Sequence, residues 1–195
     1  MTRRGPLPIV AFLRKPDNGY SLPELMLTMG LIAVVSAIAV VQIGTAQQAI
    51  RGDSAMRLVL VQLGTARELA ISERRDMRLN FLSPNALQVI RQDVPSGTTV
   101  KGAAIFEGRA EYHVVPGLPD TPDAFGNRQA IDFGSATTVT FTSDGTVVDQ
   151  IGNPVNGTVF LAIPGQPVSA RAITVLGSTG RIRAYRWDGR RWVRV

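Results

Sequence analysis

The residues best suited to chemistry in this chain are the arginines of its C-terminal segment. Residues 171–195 contain seven arginines and one acidic residue, a net charge of +6. Side chains alternate along a β-strand, so one face of the last predicted strand carries two arginines and two aromatic residues: Arg181, Arg183, Tyr185 and Trp187. Guanidinium groups bind phosphates through paired hydrogen bonds, and aromatic rings stack on unpaired bases. The segment therefore predicts a sequence-independent contact with a nucleic-acid backbone.

A turn at Asp188-Gly189 is expected to return Arg190, Arg191 and Arg194 toward the same region. If six of the tail's arginines each bound a phosphate, duplex binding would fall with salt at a log–log slope of about −5. Other interpretations stay open. An arginine-rich edge strand deters aggregation, or binds an acidic subunit or anionic lipid, and the two aromatic residues are equally well core residues.

No set of residues has the spacing of a catalytic or metal site. The chain has no cysteine and one histidine, His113, for which a structural or surface role is expected. Asp120 and Asp123 lie in a proline-rich segment without plausible catalytic partners, and Asp144 suits a turn. We therefore expect no enzyme activity, no metal and no cofactor.

A single carboxylate, Glu24, stands at the start of a long apolar segment. No charged residue occurs from Leu25 to Ile50, a length that as a helix reaches about 39 Å and suffices to cross a bilayer core of about 30 Å. Ser21 and Glu24 have the spacing of a capping box. Residues 1–19 carry a net charge of +3, which favours retention of that end in the cytoplasm.

Helical periodicity continues to about Arg78, so the second half of the helix is expected to pack on a domain. Between Asp93 and Ala130 the sequence predicts a long loop with one strand near residues 112–115. Two-residue alternation predicts further strands at 77–82, 86–92, 137–142, 158–163, 169–176 and 181–187. The predicted fold class is α+β: a long N-terminal helix, transmembrane in its apolar first half, packed on a mostly antiparallel β domain.

The segment Gly19-Tyr20-Ser-Leu-Pro-Glu24, followed by the apolar run, resembles the processing motif of type IV prepilins and type II secretion pseudopilins. The resemblance implies that prepilin peptidase cleaves between Gly19 and Tyr20 and N-methylates Tyr20, where phenylalanine is more usual. It also implies that Glu24 pairs with the N-terminal amine of a neighbouring subunit during filament assembly.

Two motifs near the C-terminus resemble the FimT/GspH branch of the same superfamily. They are Phe141-Thr-Ser-Asp-Gly145 and the closing hairpin that ends in Gly180-Arg181-Ile-Arg183. In FimT-type minor pilins of natural transformation the second motif contacts DNA, whereas GspH-type pseudopilins of type II protein secretion bind other pseudopilins. With the neighbouring arginines, the candidate DNA-binding residues are Gly180, Arg181, Arg183, Arg186, Arg190 and Arg191.

The resemblance implies three parts: a cleaved leader at 1–19, a transmembrane and filament-core helix at 20–50, and an extracytoplasmic domain at 51–195 with its basic hairpin at 171–195. The expected location is the inner membrane, crossed once, with the domain in the periplasm until assembly into a pilus or pseudopilus. Expected partners are prepilin peptidase, other major and minor pilins or pseudopilins, and double-stranded DNA. Three functions stay open: a DNA-binding minor pilin for DNA uptake, a structural pseudopilin without DNA binding, and an anchored domain that never polymerises.

Overall fold

The computed structural model describes residues 19–134 and 136–195, so most of the predicted leader lies outside the described residues. Helix α1 runs from Leu22 to Glu73. The chain divides into two compact units, of which the first ends at Val41 and the second runs from Gln42 to Val195.

The described part of the first unit is the apolar start of α1. The window Leu22–Ala39 has a mean hydropathy of 1.9 and no buried residue, and its length and composition suffice for one membrane crossing. The helix begins where the Ser21 carbonyl accepts hydrogen bonds from the N–H groups of Glu24 and Leu25, both at 3.1 Å. Among the described residues these backbone contacts, rather than the predicted side-chain capping bonds, join Ser21 to Glu24.

The second half of α1 buries one face in the domain. Its last turn ends at Glu73, before the predicted Arg78, because Arg74 adopts a left-handed conformation with φ 50°. The Arg75 N–H then donates to the Ala70 carbonyl at 3.2 Å, which closes the helix end. The buried helical residues recur at intervals of three and four and include Ala55, Val59, Leu63, Ala66 and Ala70.

Two antiparallel sheets follow. The first contains β1 Met77–Leu82, β2 Ala86–Gln92, β3 Thr98–Ile105, β6 Thr138–Phe141 and β7 Val147–Val148, in the order β3-β2-β1-β6-β7. The second contains β4 Glu111–Tyr112, β5 Ile131–Asp132, β8 Gly157–Ile163, β9 Gln166–Leu176, β10 Arg181–Trp187 and β11 Trp192–Arg194. Its order is β11-β10-β9-β8-β4, and β5 also pairs with β8.

One hydrophobic core joins the second half of α1 to both sheets. It includes residues of the helix face, of β1 and β2, and of β8 and β9. Within it the ring of Phe81 is stacked on Phe133 at 5.7 Å between ring centroids and edge-to-face with Tyr112 at 5.8 Å. The inner face of the second sheet is therefore fixed against α1, and its outer face carries a separate layer described below.

The predicted α+β fold is confirmed. Strands β1, β2 and β10 have the predicted bounds, but the predicted loop between Asp93 and Ala130 also contains β3. Strand β3 lies at the edge of the first sheet, and six of its eight residues are exposed, with exposed residues on each face. Its sequence therefore lacks the alternation of apolar and polar residues that marks a half-buried strand.

Candidate nucleic-acid interface

The predicted DNA-binding residues lie on the three last strands, in which β10 pairs with β9 on one side and β11 on the other. Arg183 is opposite Thr174 and Tyr185 is opposite Ala172, while Arg186 is opposite Val193. The turn between β10 and β11 is held by Asp188, which accepts hydrogen bonds from the N–H groups of Arg190 and Arg191, both at 2.8 Å. These two bonds are the main reason that the pKa of Asp188 is lowered.

Five arginines of the tail remain exposed: Arg181, Arg186, Arg190, Arg191 and Arg194. Arg191 is 83% exposed, and its Nε lies 3.7 Å from Asp188. Within the described residues the other four make no side-chain hydrogen bond or ion pair. The five exposed cations are spread along β10, its turn and β11, with Arg181 and Arg186 on opposite faces of β10, and one carboxylate balances them only in part. Such an excess of positive charge suits an anionic partner.

Arg183 and Tyr185 are held by a carboxylate from the long loop. Asp123 Oδ2 accepts hydrogen bonds from the hydroxyls of Thr174 at 2.6 Å and Tyr185 at 2.8 Å, and Oδ1 is paired with Arg183 Nη1. Burial raises the pKa of the Asp123 carboxyl, but these donors and the Arg183 charge outweigh it and lower the pKa overall. The guanidinium of Arg183 is therefore already neutralised within the domain.

The aromatic residues of β10 serve the domain rather than an open stacking surface. Tyr185 is buried, and Trp187 is half-buried with its ring edge-to-face against Trp192 at 5.4 Å. Of the two interpretations left open by the sequence, the structure therefore places Tyr185 in the core.

Arg171 joins β9 to α1. Its side chain is fully buried, and its Nε pairs with Asp53 at 2.6 Å. Nη2 donates to the carbonyl of Ala49 at 2.9 Å, and Nη1 donates to the carbonyls of Val168 and Ala170. A guanidinium so enclosed is out of reach of phosphate. Because Arg183 is paired as well, five arginines of the tail are available rather than six.

Gly180 has a packing role. It has φ +60°, and a Cβ at this position would meet the carbonyl oxygen of Gly145 and the side chain of Arg67. Arg67 Nη2 donates to the Thr179 carbonyl at 3.1 Å, and its Nε donates to the Gly145 carbonyl at 3.4 Å. The two C-terminal motifs of the sequence therefore meet in space, and DNA contact by Gly180 stays a prediction.

The turn that Gly180 contacts is built around Asp144. Its Oδ1 accepts hydrogen bonds from the hydroxyl of Thr142 and from the N–H and hydroxyl of Thr146. The Thr142 hydroxyl first, and then the Thr146 N–H, lower the pKa of Asp144 to about 2. Asp144 is thus a turn former, as its sequence suggested.

Residues 113–130 cover the outer face of the second sheet. A second hydrophobic cluster there includes Val115 of the loop and Phe160, Ala172, Tyr185 and Trp192 of the sheet. Trp192 Nε1 also donates to the Pro119 carbonyl at 2.8 Å. The segment expected from sequence to be a long loop with one strand near residues 112–115 therefore forms a layer over the outer face of the second sheet.

Asp120 organises that layer. Its carboxylate accepts hydrogen bonds from the N–H groups of Thr121 at 2.6 Å and Gly126 at 3.0 Å.

The sequence did not predict the contacts of Asp123. Its partners Thr174, Arg183 and Tyr185 lie 51 to 62 positions further along the chain.

The N-terminal candidates stand at the start of the described chain. Gly19, Tyr20 and Glu24 are exposed, and Glu24 lies in the first turn of α1. Cleavage after Gly19, methylation of Tyr20 and the assembly role of Glu24 stay predictions. In the described ranges no three histidine, aspartate or glutamate residues are placed to hold a metal ion.

Comparisons with known proteins gave structural matches alone. No protein-family model and no curated protein sequence matches the chain. Two crystal structures of the type IV minor pilin FimU of Pseudomonas aeruginosa are similar to it, each with a TM-score of 0.47. One shares 20% identity over 67% of this chain and 84% of that chain, and the other shares 19% identity over 68% and 90%. At this level neither match carries a functional argument.

Proposed function

We propose that this chain is a minor pilin or pseudopilin of the FimT/GspH type that binds double-stranded DNA through its C-terminal hairpin. The observation that carries the DNA proposal is the set of five exposed arginines in the C-terminal hairpin, which consists of β10, β11 and their connecting turn. Phosphate contacts by such residues bind nucleic acid without regard to sequence. The proposed role is capture of DNA for uptake during natural transformation.

The N-terminal segment supports the export part of the proposal. Prepilin peptidase would remove residues 1–19 at the cytoplasmic face and methylate Tyr20, and the apolar window would hold the subunit in the inner membrane with its domain in the periplasm. Glu24 would then pair with the terminal amine of another pilin or pseudopilin in the filament. A carboxylate at the edge of hydrocarbon is costly without such a partner.

A structural pseudopilin of type II protein secretion is the second candidate. The observation that favours it is the ion pair of Arg183 with Asp123, which removes one arginine of the Gly-Arg-x-Arg motif from free solution. In this case the remaining arginines would contact acidic residues of neighbouring subunits, and the protein would have no affinity for DNA.

DNA binding by matched arginine variants separates the two candidates. The protein is the full chain in non-ionic detergent, and the probe is a fluorescent mixed-sequence duplex. Arg190→Ala/Arg191→Ala should weaken binding at least about tenfold at 0.1 M salt, because two phosphate contacts are lost. The backbone N–H groups that bind Asp188 remain, so the turn is kept.

The control variant is Arg75→Ala/Arg78→Ala, which removes two exposed arginines outside the hairpin. It lowers the net charge equally and should leave the affinity within about twofold. Equal losses of affinity in both variants would show that binding depends on net charge and not on the hairpin. If the parent chain did not bind the duplex at low salt, the structural pseudopilin would be favoured.

A further inference from the structure

A cleft of about 540 Å³ lies on the outer face of the second sheet. Its sheet side is formed by Phe160 and Trp192, and its loop side by Val115 and Leu118. Volumes of roughly 300–1,000 Å³ with mainly apolar walls are typical of sites for small ligands. The cleft thus has the size for a small ligand, and apolar side chains for the less polar part of it.

The mouth of the cleft is polar and carries a free cation. His113, Asn127 and Arg128 line it, and Arg128 is exposed without a side-chain partner among the described residues. The backbone of Arg128 is left-handed, with φ 73°, a conformation uncommon outside glycine and enriched at ligand sites. Asp120 also lines the cleft, but its two oxygens already accept hydrogen bonds from the loop backbone. An anionic group near Arg128 is therefore favoured.

The cleft adjoins the arginine hairpin through the chain itself. Trp192, which forms one wall, directly follows Arg190 and Arg191 at the start of β11. Consecutive Cα atoms are about 3.8 Å apart, so the backbone of these two arginines lies about one nucleotide's length from that of Trp192. Phe160 and Trp192 are 6% and 8% exposed, so a ligand meets only the part of each ring that lines the cleft. Aromatic rings beside a basic surface are a combination that binds single-stranded nucleic acid.

We propose that the cleft takes one unstacked base from a single-stranded end of DNA, with the adjacent phosphates on Arg128, Arg190 and Arg191. The inference rests on the proposed function and narrows its ligand. A base in a duplex is paired and stacked, so it cannot enter the cleft. The hairpin alone therefore binds a duplex, whereas the cleft and the hairpin together bind a single-stranded end. The ring enters between the aromatic and aliphatic walls.

The test compares three fluorescent probes on the full chain in detergent: a 12-nucleotide single strand, the same length with abasic sites throughout, and a duplex. One stacked base contributes about fivefold to 150-fold in affinity, so the normal strand should bind at least fivefold more tightly than the abasic strand. Leu118→Trp, which fills the cleft, should bring this ratio to about one and leave duplex binding unchanged.

Two arginine variants test the mouth. Arg128→Ala should weaken binding of the normal strand, whereas Arg109→Ala should not. Arg109 is the matched control because it too is exposed and left-handed, with φ 68°, but lies outside the cleft. Equal losses in the two variants would contradict a specific role for Arg128.

A second measurement needs no change in the cleft. In Trp187→Phe, Trp192 is the single tryptophan of the chain. Its fluorescence should be quenched by deoxyadenosine monophosphate and not by deoxyribose 5-phosphate. This titration decides the question even if Leu118→Trp does not fold. An equal response to dodecyl phosphate would assign the cleft to acyl chains and overturn the proposal.

The outcomes separate this inference from the proposed function. Duplex binding with equal affinity for normal and abasic strands overturns the base site and leaves the hairpin function intact. Base-selective binding of the single strand without any duplex binding supports the cleft and contradicts duplex capture by the hairpin.

Discussion

At Asp123 one carboxylate joins the loop layer to two strands of the second sheet. Its donors are the hydroxyls of Thr174 and Tyr185 and the guanidinium of Arg183. No local pattern in the sequence predicts this group, because its members are brought together by the pairing of β9 with β10 and by the path of the loop. The predicted turn role of Asp144, in contrast, rests on neighbours within two positions.

Replacement of Asp123 should destabilise the domain. In Asp123→Ala the Arg183 charge and two hydroxyls lose their acceptor, and we expect a loss of about 2–4 kcal/mol in the free energy of unfolding. Denaturant titration of the full chain in detergent measures it. Glu107→Ala is the control and should change stability by less than about 0.5 kcal/mol, because this exposed carboxylate makes no side-chain hydrogen bond or ion pair among the described residues.

The lowered pKa of Asp123 predicts that the free energy of unfolding of the domain falls in acid. The folded pKa of Asp123 is lower than the ordinary value of 3.8, so its contribution is present at neutral pH and is lost as the pH falls below about 4 toward the folded pKa. Between pH 5 and pH 2 the parent chain should therefore lose more stability than Asp123→Asn. Parallel pH profiles for the two proteins would contradict this account.

At the scale of elements, the contact between the Asp144–Gly145 turn and the β9–β10 turn depends on Gly180. The sequence motifs predicted both turns. They did not predict that the turns meet, because Arg67 of α1 donates a hydrogen bond to a carbonyl in each turn and lies far from both in sequence. Strand β3 was not predicted at all. Exposed residues occur on both of its faces, so its sequence has no alternation of apolar and polar residues.

A pair of glycine variants isolates that contact. Gly180→Ala should cost more than about 2 kcal/mol, because its left-handed backbone is strained with a Cβ and the Cβ meets the Gly145 carbonyl. Gly165 is also left-handed, with φ +75°, but a Cβ there would have no neighbouring atom within 4 Å, so Gly165→Ala should cost about 1 kcal/mol. Similar thermal shifts for the two variants would refute a packing role for Gly180.

At the scale of the whole molecule, the apolar window of α1 predicts anchorage in the membrane. Val34→Arg/Val35→Arg puts two charges into it, each at a cost of about 2.5–3.5 kcal/mol near the bilayer centre. The variant should leave the membrane fraction on alkaline extraction. Val61→Arg, at an exposed apolar position on the later part of α1, should remain with it. Retention of the double variant would argue against a transmembrane role for the window.

The charge distribution along the chain, with seven of its 21 basic residues after Ala170, was readable from the sequence. Which of these arginines are free was not, because the carboxylates that engage Arg171 and Arg183 lie 118 and 60 positions away. Because Arg171 and Arg183 are engaged within the domain, the DNA proposal rests on the five exposed arginines of the tail.

The most direct measurement is the salt dependence of duplex binding by the full chain. Five contacts predict that the hairpin contributes about −4.5 to the slope of log affinity against log salt, at about −0.9 per phosphate. Arg190→Ala/Arg191→Ala should make the slope less steep by about 2, and Arg75→Ala/Arg78→Ala should leave it unchanged. A slope that the hairpin variant does not alter, or no binding at low salt, would contradict DNA binding by this surface.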